Sequence, residues 1–82
     1  MAMCEMDRIL EAIRAHPDGI TTLEIVEALY PGSPGWRIGN LLAATHGRAT
    51  KLAKRGLATR TLERRPSRDG QHQVQAVWRP VA

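Results

Sequence analysis

The apolar residues of this chain change their spacing at Gly56. Before it they recur at intervals of three and four; after it they alternate with polar residues. The first period belongs to helices with one buried face and the second to strands. An 82-residue chain has room for one small core, so helices followed by a strand pair predict a single α+β domain over residues 1–82. There is no internal repeat and no low-complexity tract.

Met6, Ile9, Leu10 and Ile13 form the stripe of an amphipathic helix over about 4–15, stopped by Pro17-Asp18-Gly19. Ile20 then leaves space for only a very short strand or an extended connector. Thr21-Thr22-Leu23-Glu24 fits a capping box, so a second helix is predicted over about 22–30, burying Leu23, Val26 and Leu29 with Ile25 beside them. Pro31-Gly32-Ser33-Pro34-Gly35 ends it. Ser33 followed by Pro34 reads as an N-cap with proline at the first helical position. Ile38, Leu41, Leu42, Thr45, Ala49, Leu52 and Ala53 then cluster on one face of a third helix over about 34–55, closed by Gly56. Gly47 is its weak point, and two helices meeting near Thr45–Gly47 are the alternative. Residues 57–79 predict a β-hairpin with a basic tip, Val74, Ala76 and Trp78 sharing one face. Trp36 and Trp78 are expected in the core, Trp78 closing it against the first helix.

Charge is segregated along the chain. Residues 1–35 hold Arg8 and Arg14 against six acids; residues 36–82 hold ten bases against Glu63 and Asp69 alone. That asymmetry points to one polyanion-facing half. The lone Cys4 has no disulfide partner, which is consistent with a reducing compartment. No apolar run approaches a membrane span, and the first residues carry acids where a secretory leader needs bases. The expectation is a cytoplasmic, nucleoid-associated protein.

On the third helix the face opposite Ile38 carries Asn40, Ala43, Ala44, Gly47, Lys51 and Lys54, with Arg37, Arg48 and Arg55 on one flank and Thr50 on the other. Small residues there permit close approach to DNA, and residues 37–55 contain no acid. Arg48 is the first choice for reading guanine, Lys51, Lys54 and Arg55 for phosphates, with His46 a further contact. His16, His46 and His72 fall on different elements without metal spacing, and no nucleophile–base or paired-carboxylate pattern appears. No enzyme activity, cofactor, metal, membrane contact or small-molecule substrate is therefore expected.

Ala49-Thr50-Lys51-Leu52-Ala53-Lys54-Arg55-Gly56-Leu57-Ala58 resembles the winged helix-turn-helix superfamily, in which a leucine stands four residues before the glycine that closes the recognition helix. Thr22 to Leu29 resembles the preceding helix, and the likeness covers about residues 5–80. The stretch between Leu29 and Leu52 is several residues longer than that pattern. The resemblance implies a three-helix winged helix-turn-helix fold with a C-terminal β-hairpin wing. It also implies a small regulator or accessory factor binding double-stranded DNA, as a monomer or a homodimer, with Arg64, Arg65 and Arg68 at the wing against the minor groove or backbone. A protein-docking module working through the acidic helices, or an RNA-binding domain, are the rival readings.

Overall fold

A computed structural model describes residues 4–67 and 69–81. The first helix, α1 (Glu5–Arg14), has Glu5 and Asp7 in its first turn and Arg14 in its last, the placement that complements the helix dipole. Strand β1 (Ile20–Thr21) follows the turn, and α2 (Thr22–Leu29) starts on it. Thr21 is the cap as the spacing requires: its Oγ1 accepts the Glu24 N–H at 3.2 Å, and its own N–H donates to Glu24 Oε1 at 3.0 Å.

The third helix, α3 (Gly35–Lys54), is continuous. Gly47 lies on its exposed side and keeps a helical backbone, so its cost is one of propensity and the ladder does not break. At 1.5 Å per residue its 20 residues run about 30 Å, comparable to the two longer extents of the protein, 31 and 30 Å. It closes on Gly56 at φ 75°, where the Leu57 N–H reaches the Leu52 carbonyl and the Gly56 N–H the Ala53 carbonyl, both at 3.0 Å. This is a Schellman close, which needs a left-handed residue. Strands β2 (Ala58–Pro66) and β3 (His72–Pro80) then form an antiparallel hairpin, with Leu62 opposite Ala76 and Arg64 opposite Val74. β1 pairs with the other side of β3, Ile20 against Trp78 and Thr21 against Val77, so the sheet order is β1-β3-β2.

The core is Ile9, Leu10 and Ile13 of α1 against Ile20, Ile25, Ala49, Leu52, Ala58 and Trp78. Trp78 is fully buried, its indole N–H donating to Thr22 Oγ1 at 3.0 Å, so the last strand locks onto the start of α2.

Three sequence expectations need correction, and Val74, which keeps the face it was expected to share with Trp78, lies beyond the core. Trp36 is 79% exposed: two residues before Ile38, it lies about 200° from the buried face of the same helix. Ser33 does not cap α3. Pro34, extended at ψ 150°, occupies the cap position, and the Ser33 hydroxyl turns back to donate to the Tyr30 carbonyl at 2.8 Å. Ile25 and Val26 are the buried centre of α2, while Leu23 and Leu29 lie half-buried at its margins, because pairing of β1 sets the phase in which the helix starts. Val74 is 63% exposed, since the hairpin outruns the core that its face covers at Trp78.

Candidate nucleic-acid interface

The outward face of α3 presents Trp36, Asn40, Ala43, Ala44, Gly47, Lys51 and Lys54 to solvent, with Arg37 and Arg55 exposed beside them. Three other residues singled out from the sequence stand on the helix flanks in internal contacts. Arg48, half-buried, meets Glu5 of α1 at 3.5 Å. The Thr50 hydroxyl donates to the His46 carbonyl one turn back at 2.8 Å. The His46 ring stands edge-on to Trp78 with centroids 5.4 Å apart, and its Nδ1 is 3.5 Å from Thr22 Oγ1. These contacts place His46 on the sheet side of α3, away from the row of lysines.

Adjacent hairpin arginines face opposite ways, because side chains alternate across a strand. Arg60, Leu62 and Arg64 continue the face of buried Ala58 beyond the core and are exposed. Arg65 points to the other face. There its guanidinium donates to the Asp18 carbonyl at 3.0 Å and lies 3.5 Å from Glu63. Arg79 donates to the same Asp18 oxygen at 3.1 Å and pairs with both Glu63 carboxylate oxygens. The Arg79 hydrogen bond, the Thr61 hydroxyl and the charges of Arg79 and Arg65 lower the Glu63 pKa to about 2 against an ordinary 4.5, over a smaller opposing effect of desolvation. The same bond raises Arg79. At the tip, the Ser67 hydroxyl and then the Gln71 N–H hold Asp69 below its usual range. Arg68 lies outside the described residues.

The structure therefore sorts the bases of the second half. Arg48, Arg65 and Arg79 are in ion pairs, whereas among the described residues Arg37, Lys51, Lys54, Arg55, Arg60 and Arg64 are in none. Trp36 joins this surface, missed because aromatic scarcity argued for burial; its phase relative to Ile38 already put it with Asn40 and Gly47. Among the described residues, no group of three acidic, His or Cys side chains is arranged to hold a metal, and no helix is long and apolar enough to cross a membrane. Comparison with protein-family models, curated proteins and solved structures finds no match to the chain.

Proposed function

We propose that this is a duplex-DNA-binding protein of the winged helix-turn-helix class, a transcriptional regulator or accessory factor that lays α3 in the major groove and sets the β2–β3 hairpin on the flank. The observation that carries the reading is the outer side of α3: residues 37–55 contain no acid, and the exposed cations there are free of ion pairs among the described residues. Ala43, Ala44 and Gly47 at its centre let the backbone approach the base edges, with Asn40 and Lys51 on either side to donate to them. Lys54, Arg55 and Arg64 take phosphates. Arg48 reaches a guanine only by exchanging Glu5 for it, so its contribution to affinity is reduced by the pair it breaks. The element order and the β1-β3-β2 sheet are compatible with this class.

Titration of labelled duplex DNA against salt tests the reading. If the five unpaired cations other than Lys51 each neutralise a phosphate, log affinity falls against log salt with a slope of about −4.5. Affinity unchanged from roughly 50 to 300 mM salt would rule out a phosphate-dominated interface. Tighter binding of duplex RNA than of duplex DNA would replace the ligand while keeping the surface.

A further inference from the structure

Trp36 lines a cleft of about 530 Å³ at the start of α3, together with Tyr30, Arg37, Asn40, Ala44 and Arg48. Glu5, the one acid on the cleft wall, is already paired with Arg48. The cleft is thus aromatic and cationic, and it borders the exposed face of α3 at Asn40 and Ala44. An α-helix with its side chains is about 10–12 Å across and nearly fills a major groove about 12 Å wide. The small residues allow that fit. Trp36 does not: seven residues before Ala43, it puts an indole on the groove side of the same helix, about 10 Å away along the axis. A continuous duplex offers an indole at that point polar base edges, phosphates and at most a thymine methyl, because every base face is covered by its neighbours in the stack. An unpaired base exposes the flat apolar face that stacks on an aromatic side chain.

Resting on the DNA reading of α3, we infer that this cleft binds an unpaired base, and that the ligand of the protein is a junction between double- and single-stranded DNA. The duplex lies along the Ala43–Lys54 part of α3 and opens about three base pairs from Ala43 toward Trp36, at about 3.4 Å per step. The first unpaired base stacks on the indole. Arg37 meets the phosphate of that nucleotide, and Asn40 borders the last pair. Charge complementarity selects a nucleic-acid strand here over an apolar peptide, since the only acid of the cleft is neutralised.

Three probes with equal numbers of phosphates test the inference: a blunt duplex, a fork with short unpaired arms, and a single strand, the fork carrying 2-aminopurine at its first unpaired position. The wild type should bind the fork about tenfold more tightly than the duplex and quench the 2-aminopurine. Trp36→Ala should bind fork and duplex equally and no longer quench the 2-aminopurine, while keeping its melting temperature, because an exposed side chain carries little of the fold. Trp36→Phe should keep most of the preference. Equal wild-type affinity for fork and duplex, or a fork preference that survives in Trp36→Ala, overturns the junction assignment and leaves duplex binding standing. A single strand bound as tightly as the fork also overturns it. Failure of salt-sensitive binding to all three probes removes the DNA reading itself.

Discussion

Gly19 is the residue whose replacement tests the packing of the hairpin most directly. It sits between α1 and β1 at φ 106°, a conformation that L side chains rarely adopt, with its N–H bonded to the His16 carbonyl at 2.9 Å. A Cβ there would lie 2.5 Å from Val77 Cγ1, 3.1 Å from the Arg65 guanidinium and 3.2 Å from that of Arg79. Val77 is fully buried in the central strand, and both guanidinium groups are bonded to the Asp18 carbonyl. Val77 has no direction in which to yield, and the two part-exposed guanidinium groups can move only by giving up those bonds. Backbone strain of about 1–3 kcal/mol and overpacking of about 1–3 kcal/mol put Gly19→Ala at about 2–6 kcal/mol destabilising. At 4–8 °C per kcal/mol for a domain of this size, the melting temperature falls by roughly 10–50 °C. Gly47→Ala is the matched control: its Cβ meets nothing within 4 Å on the exposed side of α3, so it should gain about 0.5–1 kcal/mol. Thermal melts followed by circular dichroism read both. A Gly19→Ala loss below about 1 kcal/mol would mean that the turn is free to move off the sheet and that the packing of this face is looser than described. If the Gly47→Ala variant melts higher and yet binds duplex DNA less tightly, the close-approach role of that position is supported; unchanged binding would refute that role.

Three further outcomes are expected. Thr45 is buried with its hydroxyl unbonded among the described residues, so Thr45→Val should stabilise by about 1 kcal/mol in urea denaturation; destabilisation would reveal a partner for that hydroxyl. Arg64→Ala should weaken DNA binding and make the salt slope shallower by about 0.9 without moving the melt, whereas Arg65→Ala should lower the melting temperature with a smaller change in slope; the reverse pattern would show that the faces of β2 are misassigned. Folded Glu63 releases its proton at about pH 2 against 4.5 for the free residue. Its carboxylate therefore stabilises the fold above pH 4.5, and that contribution is lost as pH falls from 4.5 toward 2. Asp69 acts in the same direction, so Glu63→Gln should flatten the acid limb of a stability–pH profile only in part; a profile identical to wild type would show that the Arg79 pair does not persist in solution.

The helices were legible because their signals are local. The Thr21–Glu24 box, the stop at Pro17–Gly19 and the Gly56 close each depend on residues within a turn of one another, and each stands where the spacing put it. Trp36 was misplaced by weighing residue type over helical phase, which alone sets the side a residue faces once the helix is continuous. The engagement of Arg48 and Arg65 was not legible. Glu5 lies 43 positions from Arg48 and Asp18 lies 47 from Arg65, and no local pattern announces a pairing set by how α1 crosses α3 or how the 16–19 turn lies on the sheet. Alternation along β2 did carry half of the answer, since it separates Arg64 from Arg65, but which face is covered depends on a turn far away in sequence.

The paired arginines bear on binding as much as the free ones. Arg65 and Arg79 converge on one backbone oxygen of the α1–β1 turn, and Arg48 ties α3 to the first turn of α1. Both sets of contacts end on α1 and its turn, so that segment braces α3 at one place and the hairpin at another. The relative position of the two is thus fixed through a third element as well as through the Gly56 connection. A surface whose free cations lie on both α3 and β2 can engage one polyanion with all of them only if that relative position is held before contact; otherwise each encounter must order the hairpin at an entropic cost that reduces affinity. On the proposed DNA reading, the bases spent internally would serve the same interface: without contacting phosphates, they would help to hold the hairpin that carries Arg60 and Arg64 against α3. The first half supplies the acceptors, the Glu5 carboxylate and the backbone carbonyl of Asp18, on a segment that otherwise stands away from the basic face.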